Sequence, residues 1–206
     1  MKGNIKKLAL VVIIAAIPML IAVIAASAGS THITGEYAGT TAAQCLVAPK
    51  GFNANLIPNP MPDGTVQAAA NTLTWDIAYT FNKNGTGSVT GVNQYNQLPN
   101  PALNIPPSAG SGNVSWDFTY IVTAAGDITF ALASGSFQCT TYVSGPKQGQ
   151  KSCVDGIPVD GVISKDGKTI TVTCGAPVIL NAVDPSTGNP LGPQLSCTVS
   201  GVLVKQ

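Results

Sequence analysis

The chain of 206 residues carries ten lysines, nine acids, one histidine and no arginine, for a formal charge of +1. Charged residues make up 9% of it, against about 25% in ordinary globular domains, and Thr, Ser, Asn and Gly take their place. A charge this small and scattered excludes electrostatic capture of nucleic acid or of an anionic membrane surface.

The N-terminus has the layout of a secretory signal: Lys2, Lys6 and Lys7, an apolar run from Leu8 to Ile24, then Ala26-Ser27-Ala28 as a small-residue cleavage pattern. The expectation is a signal helix over residues 1–28 and one domain over residues 29–206. If the segment is retained, its apolar run approaches spanning length and would tether the domain to a membrane. In both cases the domain is exported, to the periplasm, the cell surface or the medium. Five cysteines in such a chain read as disulfides with one thiol left over.

Beyond the signal, apolar residues alternate and break on Gly and Pro, the pattern of strands. Eight strands are expected: Thr34–Val47, Leu73–Asn82, Thr86–Tyr95, Asn113–Thr123, Asp127–Val143 with a bulge or bend at Gly135, Val159–Ser164, Lys168–Cys174 and Leu195–Val204. Ile179 marks a further short piece. Val66–Asn71 (VQAAAN) is the one stretch with helical character.

Tight Gly turns join the second and third strands (Asn82–Gly85), the fourth and fifth (Ala124–Gly126), and the sixth and seventh (Lys165–Gly167). The other connections are long, and two are proline-rich: Ala48–Thr72, Asn96–Gly112, Ser144–Pro158 and Gly175–Gln194. In a meander, alternate connections lie at opposite ends, so one end is plain and the other elaborate. An echo supports this reading. Thr74-Trp75-Asp76-Ile77-Ala78-Tyr79-Thr80-Phe81 matches Ser115-Trp116-Asp117-Phe118-Thr119-Tyr120-Ile121-Val122, each octet leading into a tight turn. Period-two geometry puts Trp75, Ile77, Tyr79, Phe81, Trp116, Phe118 and Tyr120 on the interior faces, with Asp76 and Asp117 outward.

Gly35-Glu36-Tyr37 at the start of the first strand, the long first connection, the eight meandering strands and the hairpin Phe81–Gly87 together resemble the lipocalin-like (calycin) barrels, especially small exported bacterial ones. The resemblance spans about residues 33–205. Tyr37 stands where that family's Gly-x-Trp has tryptophan. The resemblance implies an all-β, antiparallel, up-and-down eight-stranded barrel whose loop-covered mouth admits a small apolar molecule. A two-sheet β-sandwich with Greek-key connections is the alternative.

The seven interior residues are candidate ligand contacts, or else a packed core. Cys139, Cys153, Cys174 and Cys197 are the disulfide candidates, paired Cys139–Cys153 and Cys174–Cys197. Cys45 is then odd, or else the partner of Cys197 across the closing strands. No cysteine pair with metal spacing, no metal site and no cofactor motif is recognised. Asp155–Gly161 reads as turn chemistry. His32 lies beside the cleavage site, so a nucleophile would lack its base, and no catalytic constellation is recognised. The expected function is binding of a small, mostly apolar ligand. The alternative is a structural or surface interaction protein that uses a filled barrel as scaffold.

Overall fold

The computed structural model describes residues 33–100 and 106–206. The expected signal segment 1–28 and His32 lie outside the described residues, as does the stretch 101–105 of the second long connection. Among the described residues every regular element is a strand: β1 Gly35–Ala48, β2 Ala69–Phe81, β3 Thr86–Gln97, β4 Ser108–Val122, β5 Asp127–Leu132, β6 Gln138–Tyr142, β7 Lys151–Val154, β8 Asp160–Ile163, β9 Thr169–Thr173, β10 Val178–Val183 and β11 Pro190–Lys205.

All eleven belong to one antiparallel up-and-down sheet rather than to two facing sheets. Its hydrogen bonds close a ring of eight strands in the order β1-β2-β3-β4-β5-β8-β9-β11, with β11 returning to β1. The closing ladder is long, running from Tyr37↔Lys205 to Ala48↔Gln194. A second path closes around the same axis through β4-β6-β7-β10-β11. The ring therefore has eight staves, three of them broken half-way into β5/β6, β8/β7 and β9/β10. β5, β8 and β9 serve the plain end, and β6, β7 and β10 serve the rim.

Each break has a local cause. At the first, Gly135 takes φ +77°, a left-handed conformation that suits glycine. There the Asp117 N–H donates to Ser136 Oγ at 2.9 Å and the Ala133 N–H to Asp117 O at 3.0 Å, so a turn replaces the ladder. Pro158 and Pro177 sit in the other two breaks, and proline cannot donate to a ladder.

The expected tight turns all lie at one end, the plain one, and the long connections at the other. Those connections are shorter than expected because β2, β4 and β11 extend further toward the rim. The expected helix at Val66–Asn71 is a correction: Ala69, Ala70 and Asn71 are strand residues paired with Val47, Leu46 and Cys45. Alanine's helical preference is a few tenths of a kcal/mol, and a continued ladder outweighs it. β7 was not expected at all; its four residues carry too little alternation to be seen.

In the plain half the interior is solid. Tyr37, Tyr79, Phe81, Phe118, Tyr120 and Phe130 are buried there. Most of their rings meet edge-on or tilted, with Phe81–Tyr120 at 5.1 Å, Phe81–Phe118 at 5.4 Å and Phe118–Phe130 at 5.5 Å between centroids, while Tyr79 and Phe81 stack at 6.0 Å, geometries that aromatic quadrupoles favour. The phenol of Tyr37 donates to Gly167 O at 2.6 Å, and that of Tyr120 lies within hydrogen-bond distance of Ile33 O and Asn82 O. The tyrosines thus tie the core to the turns beneath it.

Candidate functional site

The rim half of the interior is hollow. A cavity of about 510 Å³ lies between the upper staves, a size within the usual range for small-molecule pockets. Its deepest level is set by Trp75, Asn93, Gln138 and the Cys45–Cys197 pair, and its mouth lies under the long connections.

Two walls differ in chemistry. Val47, Leu180, Leu195 and the Cys45–Cys197 disulfide form an apolar side on β1, β10 and β11. Asn71, Asn93, Tyr95, Gln138, Thr140 and Tyr142 form a polar side on β2, β3 and β6. Alternation dictates this placement: in β3 the residues sharing the inner face with buried Val89 are Gly91, Asn93 and Tyr95.

Four polar atoms on that side are buried and have no hydrogen-bond partner among the described residues: Asn71 Oδ1, Asn93 Oδ1, Tyr95 Oη and Gln138 Oε1. Asn93 and Tyr95 are each only 3% exposed. A buried polar atom left unpaired costs about 1–3 kcal/mol, so four around one space mark it as a place for water or a ligand with matching groups. Tyr95 reaches its position because Gly110 faces it; a Cβ there would stand 2.7 Å from the ring.

Lys147, in the connection between β6 and β7, also borders the cavity. Its ammonium lies 5.3 Å from the ring centroids of both Tyr95 and Tyr142, which meet edge-on. Burial pulls the Lys147 amine below its ordinary value and pushes the Tyr142 phenol above its own.

Of the seven interior candidates, Trp75 alone lines this cavity. Ile77, Tyr79, Phe81, Phe118 and Tyr120 belong to the packed core below. Trp116 is buried and borders a separate, more open groove of about 390 Å³ at the β5–β6 break. The two outward aspartates are exposed, and Asp76 accepts from Thr40 Oγ1 at 2.7 Å. Asp155 accepts from the Asn181 N–H and Nδ2 at 2.8 and 2.6 Å, which pins the break between β7 and β8 to β10.

The disulfides are Cys139–Cys153 and Cys45–Cys197. The expected Cys174–Cys197 pairing is corrected. Cys45 and Cys197 stand directly opposite in the closing ladder, their Cα atoms 4.2 Å apart. Cys174 lies in the β9–β10 break as a free thiol, and its sulfur accepts from the Val199 N–H at 2.9 Å. Two disulfides are compatible with an oxidising, exported environment.

Sequence reasoning missed Asn71, Asn93, Tyr95, Gln138 and Lys147 as site residues. The available signal was an asparagine and a tyrosine in phase with Val89 on an inner face. Comparison with known proteins finds no family model that matches the chain and no similar curated protein.

Proposed function

We propose that this is an exported, lipocalin-like barrel that binds a small, mostly apolar molecule beneath its loop-covered rim. The observation that carries the reading is the hollow rim half, about 510 Å³ in volume and walled by leucines, valine and a disulfide, standing above a solid aromatic half. Eight-stranded rings are just wide enough to be filled by side chains or to hold one small ligand. Here the large aromatics are concentrated at the plain end, which leaves space at the other.

The test is titration with N-phenyl-1-naphthylamine, a neutral apolar dye that brightens when it leaves water. The expected result is saturable one-to-one binding with energy transfer from Trp75, reduced in Trp75→Phe. Absence of saturable binding contradicts the reading.

A second reading, a surface interaction protein, draws on the exposed apolar residues of the rim: Leu56, Ile57, Val66, Leu98, Val143 and Leu191. Exposed apolar clusters mark contact surfaces. It predicts concentration-dependent association in sedimentation velocity that Ile57→Asp and Leu98→Asp abolish; a monomer at all concentrations, with no partner recovered, argues against it.

A further inference from the structure

We propose that the cavity is selective for small amphipathic carboxylates that carry an N–H or O–H donor beside the acid, as N-acyl amino acids do, with Lys147 meeting the carboxylate. This rests on the reading that the rim cavity binds a ligand, and it narrows the class.

Among the described residues the cavity lining contains one cation and no carboxylate. Lys147 is stacked against two tyrosine rings, an arrangement that holds an ammonium by its charge while leaving its N–H donors available. Among the described residues no hydrogen bond or ion pair occupies them, and a charge drawn out of water gains from an anion that enters the same space. Three side-chain amide oxygens, of Asn71, Asn93 and Gln138, stand on the same wall without donors. A purely apolar occupant would leave all of them unpaired and would remove the water that could serve them, a loss for every atom so stranded. A ligand with an anion, an adjacent donor and an apolar body matches the three parts of the cavity in turn: Lys147, the amide oxygens, and the wall made by Leu180, Leu195 and the Cys45–Cys197 disulfide.

The experiment displaces bound N-phenyl-1-naphthylamine with three related probes. N-acetyl-phenylalanine has the acid and the N–H, its methyl ester lacks the charge, and 3-phenylpropionate lacks the N–H. The acid is expected to compete at least about tenfold better than the ester, the scale of a charge-assisted hydrogen bond. In Lys147→Met, which keeps the aliphatic stem, the acid loses its advantage and competes no better than the ester, each measured relative to that variant's own dye affinity; in Lys147→Arg the advantage is retained. Asn93→Leu weakens N-acetyl-phenylalanine about fivefold relative to 3-phenylpropionate, the scale of one neutral hydrogen bond. Equal competition by acid and ester, or no displacement by any of the three from a protein that binds the dye, overturns the proposal and leaves the binding reading intact. Failure of the dye itself to bind overturns both.

Discussion

The two disulfides close loops of very different length, which sets their relative contributions to stability. Cys45–Cys197 spans 152 residues of sequence and Cys139–Cys153 spans 14. In the chain-entropy account a cross-link stabilises by restricting the unfolded chain, in proportion to the logarithm of the loop. A loop of the longer kind is worth about 5 kcal/mol and one of the shorter kind about 3 kcal/mol. Replacing Cys45 and Cys197 together by alanine is therefore expected to lower the unfolding free energy more than the same change at Cys139 and Cys153, by about 2 kcal/mol. Loss of buried sulfur packing adds to both, since all but Cys139 are fully buried. Urea denaturation followed by tryptophan fluorescence, with m-values checked for two-state behaviour, measures the difference. Equal costs, or a larger cost for Cys139 and Cys153, refute the reasoning.

The division of the interior predicts an asymmetry in core truncations. Phe118→Ala, in the solid half, should cost about 3–5 kcal/mol, whereas Leu195→Ala, which already faces open space, should cost clearly less; chemical denaturation compares them. Gly110→Ala places a Cβ against the Tyr95 ring and the Ser144 carbonyl, so it should destabilise by about 1–3 kcal/mol and change the absorbance of the displaced tyrosine. Burial raises the phenol pKa of Tyr37, Tyr79, Tyr120 and Tyr142 above the ordinary 10.0. The folded state then holds protons that the unfolded chain releases, so their contribution is complete below pH 10 and is lost as pH rises beyond it. Thermal melts should fall in midpoint above pH 10, and a midpoint that rises there contradicts the assignment.

Much of the ring was legible because its staves carry strong alternation. Trp75, Ile77, Tyr79 and Phe81 announced the inner face of β2, and Asn82–Gly85 announced the turn that follows. The rim was not legible for the opposite reason. Asn71, Asn93, Tyr95 and Gln138 are polar or amphipathic residues on a buried face, and alternation reads polar residues as outward. Cys45–Cys197 was visible only as an alternative, because its formation depends on closure between the first and last strands, a contact that local sequence does not encode. Lys147 was hidden in a connection, and its place over Tyr95 and Tyr142 follows from how that connection folds back.

The central claim is that the rim half of the interior is an open, ligand-accepting space while the plain half is solid. Ala182→Phe tests it most directly, since residue 182 lines the cavity on β10 and the added ring would occupy the hollow. The expected result is an unfolding free energy equal to or above that of the unchanged protein, together with loss of N-phenyl-1-naphthylamine binding. A variant that is as stable and still binds the dye with unchanged affinity would contradict the claim.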